Sequence, residues 1–173
     1  MSPLVSPCAC RGGSKYVHLE CLQQWAGTKD DEEQERQVAW KRGTAYVECI
    51  TCKQEFFGET AVALGREALL RTTARHQRAT AESADSFERT QLDMAESLTN
   101  LARKLQVRSS TTRRLIEPTK TIFSQAQGKL EEAEEPTRRA LAIFETSLGT
   151  EHEKVAKLLN NLAQLLQVRG STT

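Results

Sequence analysis

The 173-residue chain carries 24 Lys+Arg against 23 Asp+Glu, a formal net charge of +1, and so even a balance lacks the one-sided field that nucleic-acid and anionic-membrane partners exploit. With 38% apolar and only 5% aromatic residues, the composition suits thin, solvated helices better than one thick core. No apolar run approaches the ~18 residues of a membrane span, and residues 1–7 lack the basic leader and apolar stretch of a secretory signal, so the expectation is a soluble, cytoplasmic protein.

Met1 to Gly58 form the cysteine-rich part. All five cysteines, Cys8, Cys10, Cys21, Cys49 and Cys52, fall in this segment. An odd number of cysteines without a secretory signal argues against a disulfide framework, and the clustering, with His18 three residues before Cys21, argues for metal. Zinc takes four soft or borderline ligands in a tetrahedron, and two cysteines one or two residues apart supply a pair from one tight turn. Cys8-x-Cys10 and Cys49-x-x-Cys52 have that spacing. His18 and Cys21 offer a second pair at a helix start, because residues 17–25 carry helical spacing. Tyr46-Val47 before the last cysteine pair and Phe56-Phe57 after it predict a short hairpin around a ligand knuckle. The acidic run Asp30-Asp31-Glu32-Glu33, within the long spacer 22–48, reads as a solvated insertion.

The string Cys8-x-Cys10, seven residues, His18-x-x-Cys21, Trp25 and Cys49-x-x-Cys52 resembles the RING-CH (RING-variant) zinc finger, a module of one class of ubiquitin ligases. The family pattern has eight ligands, and six of its positions are present; its first Cys-x-x-Cys pair is not among the 173 residues. The resemblance implies a cross-brace in which the second and fourth pairs share one zinc. Carried onto this chain, that gives a site of Cys8, Cys10, Cys49 and Cys52, with His18 and Cys21 as half of a second. Trp25 would pack beneath the zinc loops. The resemblance also implies a ubiquitin-conjugating enzyme as partner. Two readings stand together: a ubiquitin-ligase-like module, or a non-enzymatic adaptor in which zinc is purely structural.

Residues 59–173 read as helices. Residues 92–112 laid on 153–173 give 12 identities in 21 positions, including Asn100-Leu101-Ala102 on Asn161-Leu162-Ala163. A first helix is expected over about 60–81. Val155, Leu158, Leu159, Leu162, Leu165 and Leu166 make a broad apolar face, with Leu159, Leu162 and Leu166 as its expected core stripe and Gly170 as terminator. Residues 111–127 read as a degraded or inserted helix, weakened by Pro118, and His152 as a turn residue. The stretch from Gln125 to Gln164, with Glu131-Glu132-Ala133, Arg139-Ala140-Leu141-Ala142 and Asn160-Asn161-Leu162-Ala163, resembles a tetratricopeptide repeat of kinesin-light-chain type, which implies a protein- or peptide-binding surface. The expected architecture is mainly α: a small zinc-stabilised RING-like module (1–58), then tetratricopeptide-like helical hairpins (59–173). Scattered arginines without interleaved aromatics argue against nucleic acid.

Overall fold

A computed structural model describes residues 4–11, 15–35, 43–79, 84–115 and 120–170. The chain is mainly α-helical, with a small cysteine-rich module at its N-terminus. It divides into two compact units, residues 1–68 and 69–173.

In the first unit, β1 (Leu4–Val5) pairs antiparallel with β2 (Val17–His18), Leu4 opposite His18 and Val5 opposite Val17. This pairing closes the loop that carries Cys8 and Cys10. The chain then enters α1 (Leu19–Glu35) without a break. The acidic run, expected as a solvated insertion, is part of α1, and Asp30 is not solvated: it is 3% exposed. Its Oδ1 accepts the backbone N–H of Gly43 at 3.2 Å. A buried carboxylate needs such a donor, and the bond fastens α1 to the point where the described chain resumes. Gly43 has φ 72, a left-handed conformation that glycine adopts at no steric cost, and leads into a 3-10 turn, Thr44–Tyr46.

The expected hairpin follows. Glu48 bridges Glu55 antiparallel, the Cys49 N–H donates to the Gln54 carbonyl at 2.9 Å, and the Phe56 N–H donates to the Val47 carbonyl at 2.9 Å. α2 (Gly58–Ala79) begins two residues later. Cys8, Leu22, Ala26, Ala45, Tyr46, Phe56, Ala61 and Leu64 form one core, with Trp25 packed against it. The knuckle, α1 and the start of α2 therefore share apolar cover.

The second unit holds the end of α2, α3 (Ala84–Leu115), α4 (Lys120–Leu148) and α5 (Glu153–Gly170). The His76 ring lies 4.6 Å from that of Phe87, and its Nδ1 is 3.1 Å from Thr90 Oγ1. α4 packs along α3 and against α5, and Met94, Ala95, Leu98, Ala140, Phe144, Val155 and Leu158 form their common core. Gly149, at φ 84, ends α4, its N–H reaching the Glu145 carbonyl at 3.2 Å. His152 then caps α5, its Nδ1 accepting the Lys154 N–H at 3.1 Å. It is a turn residue.

Two helical expectations need correcting. Residues 111–115 and 120–127 are the ends of two long helices, not one degraded helix; Pro118 lies outside the described residues. The inner face of α5 is Val155, Leu158 and Leu165, which are 1%, 2% and 3% exposed, whereas Leu159 is 47% exposed. Leu162 and Leu166 are half-buried. Helical periodicity locates an apolar arc but not which part of a wide arc meets its neighbours.

Candidate metal centre

Two loops supply the sulfur atoms. Cys8 and Cys10 come from the loop closed by β1 and β2, and Cys49 and Cys52 from the knuckle. A backbone hydrogen bond from the Phe57 N–H to the Pro7 carbonyl, 3.1 Å, ties the base of one loop to the exit of the other. Their Sγ atoms all lie within 4.8 Å of one another, and those of Cys10 and Cys49 are 3.7 Å apart. A tetrahedron with Zn–S bonds of about 2.3 Å has an edge of about 3.8 Å. One pair already stands at that edge, and the other separations lie within about 1 Å of it. Cys8 is buried, and Cys10, Cys49 and Cys52 are half-buried.

The electrostatics also favour a cation. Burial opposes ionisation of Cys49, but the backbone N–H groups of Cys52 and Thr51 and the thiols of Cys8 and Cys10 outweigh it, lowering its pKa to about 6. Cys10, hydrogen-bonded first to Cys8 and then to Cys49, is pushed up to about 12, and burial raises Cys8. Four thiols this close resist being charged together, and a divalent cation removes that conflict by binding them all as thiolates. Two knuckle N–H groups aimed at one sulfur are the donors a metal-bound thiolate needs. The donor set, the separations and the amides together fit zinc.

His18 and Cys21 are placed elsewhere in the same unit. His18 is an exposed residue of β2, and Cys21 is exposed on the first turn of α1. Among the described residues, the only cluster of three or more metal-ligating side chains is the four-cysteine set. Sequence reasoning did not anticipate three supports of the site: Asp30, the Pro7 carbonyl and Lys53. Lys53 holds φ 56, and its N–H donates to the Cys49 carbonyl at 2.9 Å, which turns the knuckle after Cys52. A backbone carbonyl and a positive-φ lysine leave no mark in a sequence. Asp30 left one, but it was hidden inside an acidic run.

The RING-variant domain family matches residues 1–52. Over 59 residues the chain is 37% identical to the E3 ubiquitin-protein ligase MARCHF8 of Bos taurus and of Homo sapiens, a match covering 34% of this chain and 15% of each relative. Over 52 residues it is 42% identical to the E3 ubiquitin-protein ligase MARCHF5 of Xenopus laevis, covering 30% of this chain and 15% of that protein. The matched segment thus spans a small fraction of these relatives' length. No solved structure matches the chain. Among the described residues no helix is long and apolar enough to cross a membrane. The N-terminal segment, residues 1–52, carries a RING-variant domain with a four-cysteine cluster compatible with zinc.

Proposed function

We propose that residues 1–58 form a ubiquitin-ligase-like zinc module that binds a ubiquitin-conjugating enzyme, and that residues 59–173 recruit a protein or peptide partner to it. The observation that carries this reading is the four-cysteine cluster, close to the edge length of a zinc–thiolate tetrahedron, within the segment that matches the RING-variant domain. Cys8, Cys10, Cys49 and Cys52 would hold the zinc, which acts as a crosslink between the two loops. Such a module needs no nucleophile of its own; it works by holding a loaded conjugating enzyme near an acceptor lysine. Ile50 is 57% exposed at the knuckle turn, and we assign it to the contact with that enzyme. The helices of the second unit are read as a tetratricopeptide-like array of kinesin-light-chain type, supported by the α4–α5 hairpin across Gly149. None of the five cysteines is in a disulfide, which fits the reducing cytoplasm we read as the chain's compartment.

The purified zinc-loaded chain, titrated against a panel of conjugating enzymes by calorimetry, tests this. Binding to at least one enzyme, weakened by Ile50→Ala and lost with Cys49→Ser, is expected. Absence of binding across the panel would sink the proposal in favour of the structural scaffold. One observation favours that second reading: His18 and Cys21 are exposed and gather no further ligand among the described residues.

A further inference from the structure

The four clustered thiols are not equally open to solvent. Cys8 is 4% exposed, whereas Cys10, Cys49 and Cys52 are half-buried, so an oxidant arriving from solvent meets three sulfurs and not the fourth. Of those three, Cys10 and Cys49 sit on different loops, their Sγ atoms 3.7 Å apart across 39 residues of chain. A disulfide holds its sulfurs at about 2.05 Å. The pair must therefore close by less than about 2 Å, a distance within the sweep of the two side chains about their Cα–Cβ bonds.

The backbone around this pair is already held. The Phe57 N–H donates to the Pro7 carbonyl at 3.1 Å, tying one loop to the other. Cys49 is braced on both sides: its N–H donates to the Gln54 carbonyl, and its carbonyl accepts the Lys53 N–H, each at 2.9 Å. A bond between Cys10 and Cys49 joins the same two loops that a shared metal would join, and none of these hydrogen bonds has to break. A Cys8–Cys10 or Cys49–Cys52 bond would close a ring within one turn and leave the two loops without a crosslink. Crosslinks over long spans also remove more entropy from the unfolded chain than those over short ones.

We infer that the cluster is a reversible redox switch: hydrogen peroxide oxidises Cys10 and Cys49 to a disulfide, the four-thiolate site is lost and its zinc released, and the module keeps its fold on the new crosslink. One sulfur of the pair takes an oxygen from the peroxide as a sulfenic acid, and the other oxygen leaves as water. The second sulfur then attacks the first, forming the S–S bond and expelling the sulfenic oxygen as a second water. Two electrons pass from the sulfurs to the peroxide. Cys8 and Cys52 each take up a proton as they lose the metal. A thiol reductant reverses the step through a mixed disulfide. In a reducing compartment a disulfide is characteristically transient and redox-sensing. The switch is the regulation of the zinc module proposed above and rests on that reading.

The test uses the full zinc-loaded chain, purified under reductant and then freed of it. Hydrogen peroxide should release zinc to a chromogenic chelator in step with disulfide formation, about one zinc per disulfide, and dithiothreitol with added zinc should restore the starting state. After denaturation in N-ethylmaleimide, trypsin should leave peptide 1–11 joined to peptide 43–53, and fragmentation should place the bond at Cys10 and Cys49, with Cys8 and Cys52 alkylated. The oxidised chain should still unfold cooperatively in denaturant by tryptophan fluorescence. Cys21→Ser, at an exposed position outside the cluster, should change none of this. Zinc retained under peroxide, a disulfide confined to peptide 43–53, or loss of the cooperative transition on oxidation would overturn the switch alone. A purified chain holding no zinc before oxidation would overturn the zinc module and the switch with it. No conjugating enzyme enters the assay, so failure of the switch and failure of enzyme binding are told apart.

Discussion

Truncating Leu98 and Leu159 separately to alanine compares one residue of the repeat in its two settings. Leu98 is 0% exposed within the core shared by α3, α4 and α5. Removing its side chain forfeits the transfer energy and leaves a cavity that the surrounding helices only partly close, at a cost of about 2–5 kcal/mol. Leu159 is 47% exposed, so its truncation opens no closed cavity and costs about 1 kcal/mol or less. For a chain of this size each kcal/mol lowers the melting temperature by about 2–4 °C. The Leu98→Ala midpoint should therefore fall by about 10 °C and the Leu159→Ala midpoint by no more than about 4 °C, as read from far-ultraviolet circular dichroism. Equal losses, or the greater loss at Leu159, would refute the assignment of inner and outer positions on α3 and α5.

Asp30→Ala removes the acceptor of the Gly43 N–H and should destabilise the zinc-loaded first unit by about 1–3 kcal/mol, measurable by chemical denaturation followed through tryptophan fluorescence, since Trp25 and Trp40 both lie within residues 1–68. In the metal-free protein, Cys49 titrates at about 6 and Cys10 at about 12. Near neutral pH, Cys49 is then mostly thiolate and Cys10 a thiol, so iodoacetamide should label Cys49 before Cys10, and labelling of Cys49 should slow as the pH falls through 6; preferential labelling of Cys10, mapped by mass spectrometry, would contradict this. A strong chelator should loosen the first unit while α3, α4 and α5 persist, because no member of the four-cysteine set lies in the second unit. Loss of most helical signal on chelation would count against that separation.

The legibility of this chain differed sharply between its two parts. Ligand spacing marked Cys8-x-Cys10 and Cys49-x-x-Cys52 as candidate ligand pairs, and the resemblance to the RING-CH pattern, rather than spacing, implied that the two pairs share one site. The hairpin was equally legible from Tyr46-Val47 and Phe56-Phe57, which flank the knuckle and of which Phe56 is buried. α2 fell close to where apolar periodicity placed it. What the sequence concealed was tertiary. Asp30 looked like one more solvated acid because its partner, a backbone N–H, lies thirteen residues away. Leu159 looked like core because it belongs to the apolar arc, yet it lies at the edge of that arc, and the packing runs through Val155, Leu158 and Leu165. Residues around Pro118 read as one broken helix because proline marks a break without saying which helices it separates. In the structure, residues up to 115 belong to α3 and those from 120 to α4.

Zinc content tests the central claim most directly. Cys8, Cys10, Cys49 and Cys52 offer four thiolates in one cluster, and a site of that kind is worth about 10–16 kcal/mol of binding energy. His18 and Cys21 offer two ligands on an exposed surface, too few to hold zinc through dialysis. Elemental analysis of the purified, dialysed chain should give close to one zinc per chain, abolished by Cys49→Ser and nearly unchanged by Cys21→Ser. Two zincs per chain, none, or equal loss from both substitutions would contradict the account.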